Sequence, residues 1–225
     1  MNRKNFLKKG ILGIGSIIAI PTVISSCDEE TVDPTACAVS PEETAGPFPI
    51  KSPADWVRAN VIGDRSGVPL MINIIVQNTN NNCAVLQGAL VDIWHCDASG
   101  NYSEYSGQID GNFTSEHFLR GRQTTDSEGK AAFISIYPGW YPGRAPHIHI
   151  EILDSSGKSL LISQIAFPED ASNTVYGTQG YKGDFDTTNK SDGEFSDSLD
   201  RNIADSVTGN TTDGYTLTKT IKVAG

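Results

Sequence analysis

The chain has 225 residues and 38% hydrophobic content, so it is long enough to bury a sizeable core in one large domain or two small ones. Its 22 glycines, 11 prolines and 20% charged residues are typical of short strands joined by turns rather than of a helical bundle. Acidic residues outnumber basic ones by 27 to 17, and because a negative surface repels phosphate backbones, we expect no nucleic acid partner.

The N-terminal residues have the three parts of a secretory signal. Basic residues up to Lys9 come first, an apolar run over residues 11–24 follows, and small residues precede Cys27. The apolar run is shorter than the ~20 residues that a membrane-spanning helix needs. Residues 24–27 (ISSC) resemble the lipobox of bacterial lipoproteins, in which the cysteine is acylated and becomes the new N-terminus. A plain cleaved signal is the alternative.

We therefore predict a lipoprotein signal peptide over residues 1–26 and a polar tether over residues 27–40. Lipid chains on Cys27 would anchor the mature protein to a membrane of the cell envelope, on its periplasmic or cell-surface side. No further linker or internal repeat follows, so residues 41–225 are predicted to form one domain.

Export also changes how the remaining cysteines are interpreted, because thiols oxidise outside the cytosol. Cys37 and Cys83 both lie beside polar loop residues, whereas Cys96 ends an apolar segment. We predict a disulfide between Cys37 and Cys83 and a buried, unpaired Cys96. Metal binding by the cysteines is the competing interpretation, but the chain has no C-x-x-C spacing.

Turn residues divide the predicted domain into short apolar segments. We predict six strands, over residues 71–77, 86–96, 130–136, 147–153, 160–167 and 215–223. One short helix is predicted within residues 193–206, where Phe195, Leu199 and Ile203 recur at four-residue steps. This spacing predicts an all-β fold, an antiparallel β-sandwich with little helix.

The residues that carry chemistry lie around the strand that begins at His147. Side chains alternate along a strand, so His147 and His149 project from one face and the isoleucines between and after them from the other. Two imidazoles on one face can present two nitrogen ligands to one metal ion, although hydrogen-bonded or surface histidines are the alternative. Tyr141, on a Pro/Gly loop upstream, and Tyr102, directly after a glycine turn, are the candidate further ligands. Tyr105 is the alternative to Tyr102.

The chemistry of this donor set predicts the metal. A phenol with an ordinary pKa of about 10 ionises at neutral pH only beside a strong Lewis acid, and hard phenolate oxygens prefer a trivalent ion. Two phenolates and one hydroxide neutralise Fe(III), which offsets the cost of burying it. The residues thus favour a ferric ion that accepts a catecholate.

Three ordered blocks carry a resemblance: residues 94–102 (WHCDASGNY), 118–129 (FLRGRQTTDSEG) and 137–149 (YPGWYPGRAPHIH). They resemble the intradiol ring-cleavage dioxygenases, the superfamily of protocatechuate 3,4-dioxygenase and catechol 1,2-dioxygenase. Residues 44–48 (TAGPF) are similar to the T-x-G-P-[FY] segment of that family. The resemblance extends from about Pro41 to the C-terminus.

The resemblance implies a non-haem Fe(III) held by four side chains: Tyr102, Tyr141, His147 and His149. It implies that Tyr141 is displaced when the substrate binds, that Arg144 stabilises negative charge on the activated ring, and that Gln164 lines the same pocket. The implied reaction cleaves a small aromatic diol between its two hydroxyl groups with O2. Its product is a muconate-type diacid that contains both oxygen atoms.

Several residues have competing interpretations. Arg144 is alternatively the partner of a surface acid, and Gln164 is alternatively a hydrogen-bonded core amide. His95 and His117 are interpreted as structural, and Trp140 as a packing residue that walls the pocket. The link between Tyr141 and His147 is shorter than in protocatechuate dioxygenase, so the resemblance does not define the substituents of the substrate.

Two other classes of function compete with the dioxygenase. One is a noncatalytic surface lipoprotein that uses the same sandwich to bind a polyphenol or a glycan. The other is a zinc hydrolase in which His147 and His149 act with a carboxylate, either Asp126 or Glu151.

Overall fold

The computed structural model describes residues 37–225, so the predicted signal peptide, Cys27 and most of the tether lie outside the described residues. The strands of the described part are β1 (Pro69–Asn78), β2 (Ala84–Val85), β3 (Leu90–Trp94), β4 (Arg120–Thr124), β5 (Lys130–Ile136), β6 (His147–Leu153), β7 (Ser159–Ala166), β8 (Ser206–Asn210) and β9 (Gly214–Val223). The helices are α1 (Glu169–Tyr176), α2 (Leu199–Asn202) and two short 3-10 helices (Pro53–Trp56 and Thr79–Asn81). None of these helices is long and apolar enough to cross a membrane.

The strands form two sheets that share one hydrophobic core. The first sheet has the order β2-β1-β9-β8, with β5 also paired to β1, and the second has the order β4-β3-β6-β7. Neighbouring strands are antiparallel except β1 and β9, which run parallel. Ile72 and Leu217 of the first sheet belong to the same buried cluster as Ile93 and Ile150 of the second. The predicted β-sandwich with little helix is confirmed, with one parallel pair in it.

Strand β6 shows why the two faces of the second sheet differ. Ile148, Ile150 and Ile152 are fully buried in the core between the sheets. His147 and His149 project from the opposite face, as the alternation predicted, and are also buried there, at 2% and 1% exposure. The loops that join the strands therefore cover the outer face of β6 at the histidines.

The predicted disulfide between Cys37 and Cys83 is present, and Cys96 is buried and unpaired. The disulfide ties the start of the described chain to the turn that follows β1. Beyond it, the Ser163 hydroxyl on β7 donates a hydrogen bond of 2.7 Å to the Pro41 carbonyl. The segment that leads to residues 44–48 is thus fastened at both of its ends.

The sequence did not predict β2, β4, β8 or α1, and the strand that it predicted over residues 86–96 is shorter at both ends in the structure, where β3 covers Leu90–Trp94. Strand β4 (RGRQT) is polar because Arg122 forms a bidentate ion pair with Asp92 on β3, with N–O distances of 2.5 and 2.6 Å. Helix α1 buries only three residues, which leaves a weak apolar pattern. The helix predicted within residues 193–206 is a single turn, α2.

Candidate functional site

Two loops approach each other above the histidine face of β6: residues 95–102, which follow β3, and residues 137–146, which join β5 to β6. Their backbones are in direct contact, and the Gly139 N–H donates a hydrogen bond of 3.1 Å to the Asp97 carbonyl. A Cβ atom at Gly139 would lie closer than 3.0 Å to that carbonyl, and one at Gly100 would lie equally close to the Trp140 carbonyl. Glycine is required at both positions, because only bare backbone allows this approach. The contact sets the two tyrosine-bearing loops side by side.

The structure brings together Tyr102, Tyr141, His147 and His149. The Nε2 atom of His147 lies 3.1 Å from Nε2 of His149, 3.4 Å from the Tyr102 hydroxyl and 3.3 Å from the Tyr141 hydroxyl. Tyr102 and both histidines are buried, whereas Tyr141 is partly exposed. Four nitrogen and oxygen donor atoms therefore converge on one place.

The two histidines are held with their Nε2 atoms facing this place. The Nδ1 atom of His147 lies 2.6 Å from the Ala145 carbonyl, which assigns the ring proton to Nδ1 and leaves the Nε2 lone pair free. The ring of His149 stacks in parallel on Trp94, with centroids 5.1 Å apart, and Gly46 lies against its edge. Burial lowers the pKa of His147 to about 3 and the pKa of His149 well below its ordinary value, so both rings are neutral.

The two phenols respond to burial in the opposite direction. Burial raises the pKa of Tyr102 well above its ordinary value and the pKa of Tyr141 to about 12. Without a metal ion beside them, both hydroxyl groups are therefore protonated at neutral pH. A cation at the centre would reverse this, because it favours the phenolate.

The donor set fits a metal ion with two nitrogen and two oxygen ligands. Ligand atoms at about 2.0–2.2 Å from one ion lie roughly 3 to 3.5 Å from each other. The separations between His147 Nε2 and the other three donor atoms, 3.1 to 3.4 Å, fall in this range. Neutral imidazoles are also the protonation state that metal binding requires.

Arg144 and Gln164 lie next to the partly exposed tyrosine. Arg144 Nη2 donates a hydrogen bond of 2.5 Å to Gln164 Oε1, and Nη1 lies 3.5 Å from the Tyr141 hydroxyl. Gln164 is the register partner of His149 across β6 and β7, and its Nε2 donates to the Thr44 carbonyl at 2.8 Å. One end of the Gln164 amide thus holds the guanidinium of Arg144 beside the donor atoms, and the other end fixes Gln164 to Thr44.

The other candidates from the sequence lie elsewhere. The Tyr105 hydroxyl donates to the Pro49 carbonyl at 2.8 Å, so Tyr102 rather than Tyr105 lies next to the histidines. Asp126 is a turn residue whose carboxylate accepts hydrogen bonds from two backbone N–H groups of its own turn. Glu151 faces Asp92 of the neighbouring strand. Within residues 37–225, no three or more His, Cys, Asp or Glu side chains are placed to hold a metal ion.

The remaining histidines and Trp140 make packing contacts. His95 is buried between the Cys96 carbonyl and the Ser135 hydroxyl, at 2.8 and 2.7 Å. His117 stacks on a tryptophan of the first 3-10 helix and pairs with a buried glutamate. Trp140 donates from Nε1 to the Gly183 carbonyl at 2.9 Å.

Sequence reasoning missed Asp192, a buried carboxylate that accepts hydrogen bonds from two donor groups, Arg144 Nε and the Ala145 N–H. It lies 48 residues beyond Arg144, in a stretch rich in Asp, Gly, Ser and Thr. No signal in that stretch distinguishes Asp192 from its exposed acidic neighbours.

Comparison with known proteins places these residues in a family. A family model described as "Dioxygenase" matches residues 47–176. The chain is 31% identical over 115 residues to the protocatechuate 3,4-dioxygenase beta chain of Burkholderia cepacia, which is 47% of this chain and 49% of that protein. It is 28% identical over 144 residues to the chlorocatechol 1,2-dioxygenase of Rhodococcus opacus, which is 55% of this chain and 48% of that protein. The chain therefore spans about half the length of these curated relatives.

A solved structure covers more of the chain. The intradiol ring-cleavage dioxygenase from Tetranychus urticae superposes with a TM-score of 0.73 at 30% sequence identity. The superposition covers 83% of this chain and 95% of that protein.

Proposed function

The chain belongs to the intradiol ring-cleavage dioxygenases, and from that premise we propose that it cleaves a catechol-type aromatic ring between its two hydroxyl groups with O2. The proposed product is a muconate-type diacid that holds both oxygen atoms. One observation carries the proposal: the hydroxyls of two phenols and the Nε2 atom of a second neutral imidazole all lie within 3.4 Å of His147 Nε2.

We assign a non-haem Fe(III) to the four donors Tyr102, Tyr141, His147 and His149. Burial holds both phenols in the protonated form, so only a strong Lewis acid would convert them to ligands at neutral pH. Hard phenolate oxygens favour a trivalent ion over zinc. When bound, the ion supplies a Lewis acid that accepts the two oxygens of the catechol and draws electron density from its ring.

Tyr141 is the group that receives the substrate in this proposal. It is the partly exposed member of the four, and the next two residues of its loop, Pro142 and Gly143, are exposed. A catechol that arrives from solvent therefore meets Tyr141 before it meets Tyr102 or the histidines. Once converted to a phenolate, the Tyr141 oxygen would take the proton of a substrate hydroxyl.

Arg144 supplies fixed positive charge where the substrate would lie. Its guanidinium is oriented by Gln164 and is next to the Tyr141 hydroxyl, so it is in place before the reaction begins. Preorganised donors of this kind stabilise negative charge that develops on a substrate, because they need no reorganisation during the step. Gln164, fixed through Thr44, serves to hold the guanidinium.

We further propose that the protein is a lipoprotein of the cell envelope, anchored through acylated Cys27. The Cys37–Cys83 disulfide supports this location, since structural disulfides persist in oxidising compartments. Labelled palmitate should be incorporated into the protein and lost in Cys27→Ser. A Cys27→Ser protein that still carries the label would rule out this anchor.

One experiment separates the proposed function from its competitors. The metal of the protein as purified is identified first, and the protein is then mixed with catechol, protocatechuate, hydroxyquinol and catechin-like polyphenols while oxygen uptake, colour and product mass are recorded. We expect a red or purple protein, bleached in Tyr102→Phe or Tyr141→Phe, that consumes O2 and opens one ring between the hydroxyls. A coloured protein without oxygen uptake would support a noncatalytic polyphenol binder, and a colourless zinc protein would support the hydrolase. Ring opening beside the hydroxyls would reject intradiol cleavage.

A further inference from the structure

A buried carboxylate outside the ligand loops contacts the segment that joins Tyr141 to His147. Asp192 lies in the loop between α1 and α2 and is 0% exposed. Its two carboxylate oxygens accept from Arg144 Nε at 2.9 and 3.0 Å, and one of them also accepts from the Ala145 N–H at 2.7 Å. A further hydrogen bond from the Glu194 N–H, at 2.9 Å, fixes the carboxylate to its own loop.

These contacts determine where the guanidinium of Arg144 points. Asp192 holds the Nε edge, Gln164 holds Nη2, and Nη1 is left facing the Tyr141 hydroxyl. A planar guanidinium that is hydrogen-bonded along two edges has one orientation only. If the hold on Nε were lost, the Gln164 contact alone would let the group rotate.

The same carboxylate also acts on one of the histidines through a single residue, Ala145. The N–H of Ala145 donates to Asp192, and the carbonyl of Ala145 accepts from Nδ1 of His147 at 2.6 Å. That carbonyl sets both the tautomer and the ring orientation of His147. Asp192 therefore fixes a backbone group that turns Nε2 of His147 toward the other donors.

We propose, on the basis of the proposed function, that Asp192 is a positioning residue that aims Arg144 at the substrate beside Tyr141. Its charge matters as well as its shape. The Arg144 and Asp192 side chains are 15% and 0% exposed, so the carboxylate balances a cation that solvent hardly reaches. Asparagine would keep the shape of the side chain but remove this charge and one acceptor.

The chain offers a matched control in the same loop. Asp186 accepts a hydrogen bond from the Gly143 N–H at 3.2 Å, so it too ties this loop to the loop of Tyr141. Asp186 is exposed, and its carboxylate accepts hydrogen bonds from the Gly143 N–H and the Thr187 hydroxyl. Asp186→Asn therefore weakens the contact between the two loops without changing a partner of Arg144. Asp192→Asn weakens that contact and also weakens the hydrogen bonds that orient Arg144.

The test compares Asp192→Asn, Asp186→Asn, Arg144→Met and the double variant Asp192→Asn/Arg144→Met, all iron-loaded, with catechol as substrate. We expect Asp192→Asn to lower kcat by about tenfold or more with a much smaller change in KM, because Arg144 acts on charge that develops during the reaction. We expect most of the loss caused by Asp192→Asn to disappear in the Arg144→Met background, since the hold on Arg144 is then already gone; the part that remains reports the hold on Ala145 and His147. Asp186→Asn should resemble the wild-type protein.

Two spectroscopic measurements keep the test independent of turnover. In the metal-free protein, hydrogen exchange at Arg144 Nε should be about tenfold or more faster in Asp192→Asn, because its buried acceptor is weakened. In the iron-loaded protein, the phenolate charge-transfer band should shift in Asp192→Asn and not in Asp186→Asn. Both readings apply to any fraction of the variant that folds.

Three results would overturn the inference: an Asp192→Asn variant that matches Asp186→Asn, a rate loss that is additive with Arg144→Met, or unchanged exchange at Arg144 Nε. Failure of the proposed function looks different. In that case the wild-type protein itself consumes no O2 with catechol, protocatechuate or hydroxyquinol, while the exchange measurement still reports on Asp192.

Discussion

Replacing Cys37 and Cys83 with serine removes a cross-link that closes a loop of 46 residues. The chain-entropy relation gives a loss of about 13 to 14 cal/mol/K for a loop of this length, which is about 4 kcal/mol of unfolding free energy at 25 °C. For a domain of this size, that loss corresponds to a Tm lowered by roughly 8 to 16 °C. The assay is urea unfolding of the double serine variant and of the wild-type protein, with and without reductant.

Reduced wild-type protein should match the variant, and reductant should leave the variant unchanged. The site itself should survive in both at low denaturant, because the Ser163–Pro41 and Gln164–Thr44 hydrogen bonds still hold the segment that leads to residues 44–48. The charge-transfer band should therefore be unaltered in the folded variant. A decrease of less than about 1 kcal/mol in the free energy of unfolding would refute the reasoning. It would mean that removing the cross-link does not raise the conformational entropy of the unfolded chain.

Three further predictions follow from single residues of the site and its surroundings. Gly46→Ala should lower the iron content, because Gly46 has φ +65° and its new Cβ would lie closer than 3.0 Å to the His149 ring; a fully iron-loaded, equally coloured variant would contradict this. Gly139→Ala should lower stability by about 1 to 3 kcal/mol and weaken the colour, since it pushes apart the two tyrosine loops; thermal unfolding and the visible spectrum check both. Burial lowers the pKa of His95 from 6.5 to about 4, so between these pH values His95 is protonated in the unfolded chain and neutral in the folded one. The free energy of unfolding is therefore unaffected by His95 above pH 6.5 and falls by about 3 kcal/mol as the pH drops toward 4. In His95→Gln, the free energy of unfolding should decrease less steeply over this pH range. An unchanged pH dependence would contradict the prediction.

Parts of the site that depend on local geometry could be predicted from the sequence. The period of a strand is two residues, so His147 and His149 had to share a face once β6 was recognised. The disulfide followed from the surroundings of Cys37 and Cys83 in an exported chain. In each case the relevant partners are defined by their immediate neighbours along the chain.

Parts that depend on tertiary contacts could not be predicted in the same way. The sequence favoured Tyr102 and kept Tyr105 as the alternative; what it did not show is the contact of Gly100 with the loop of Trp140, which sets the loop of Tyr102 beside the histidines. Asp192 has no distinguishing neighbours and reaches Arg144 only because the loop between α1 and α2 folds back across the site. The edge strand β4 is equally hard to predict from the sequence, since its residues are polar and an ion pair between Arg122 and Asp92 joins it to β3.

The division of the four donors between a sheet and two loops bears on which of them a substrate could displace from the proposed iron. His147 and His149 belong to β6, which is hydrogen-bonded to β3 on one side and β7 on the other, so moving either imidazole disturbs a buried ladder. Tyr102 is buried, with its backbone N–H bonded to the Gln108 side chain at 2.9 Å. Tyr141 precedes an exposed turn, and its hydroxyl contacts His147 and Arg144. Displacement of Tyr141 therefore breaks the fewest buried contacts, because the fold has already fixed the other three donors.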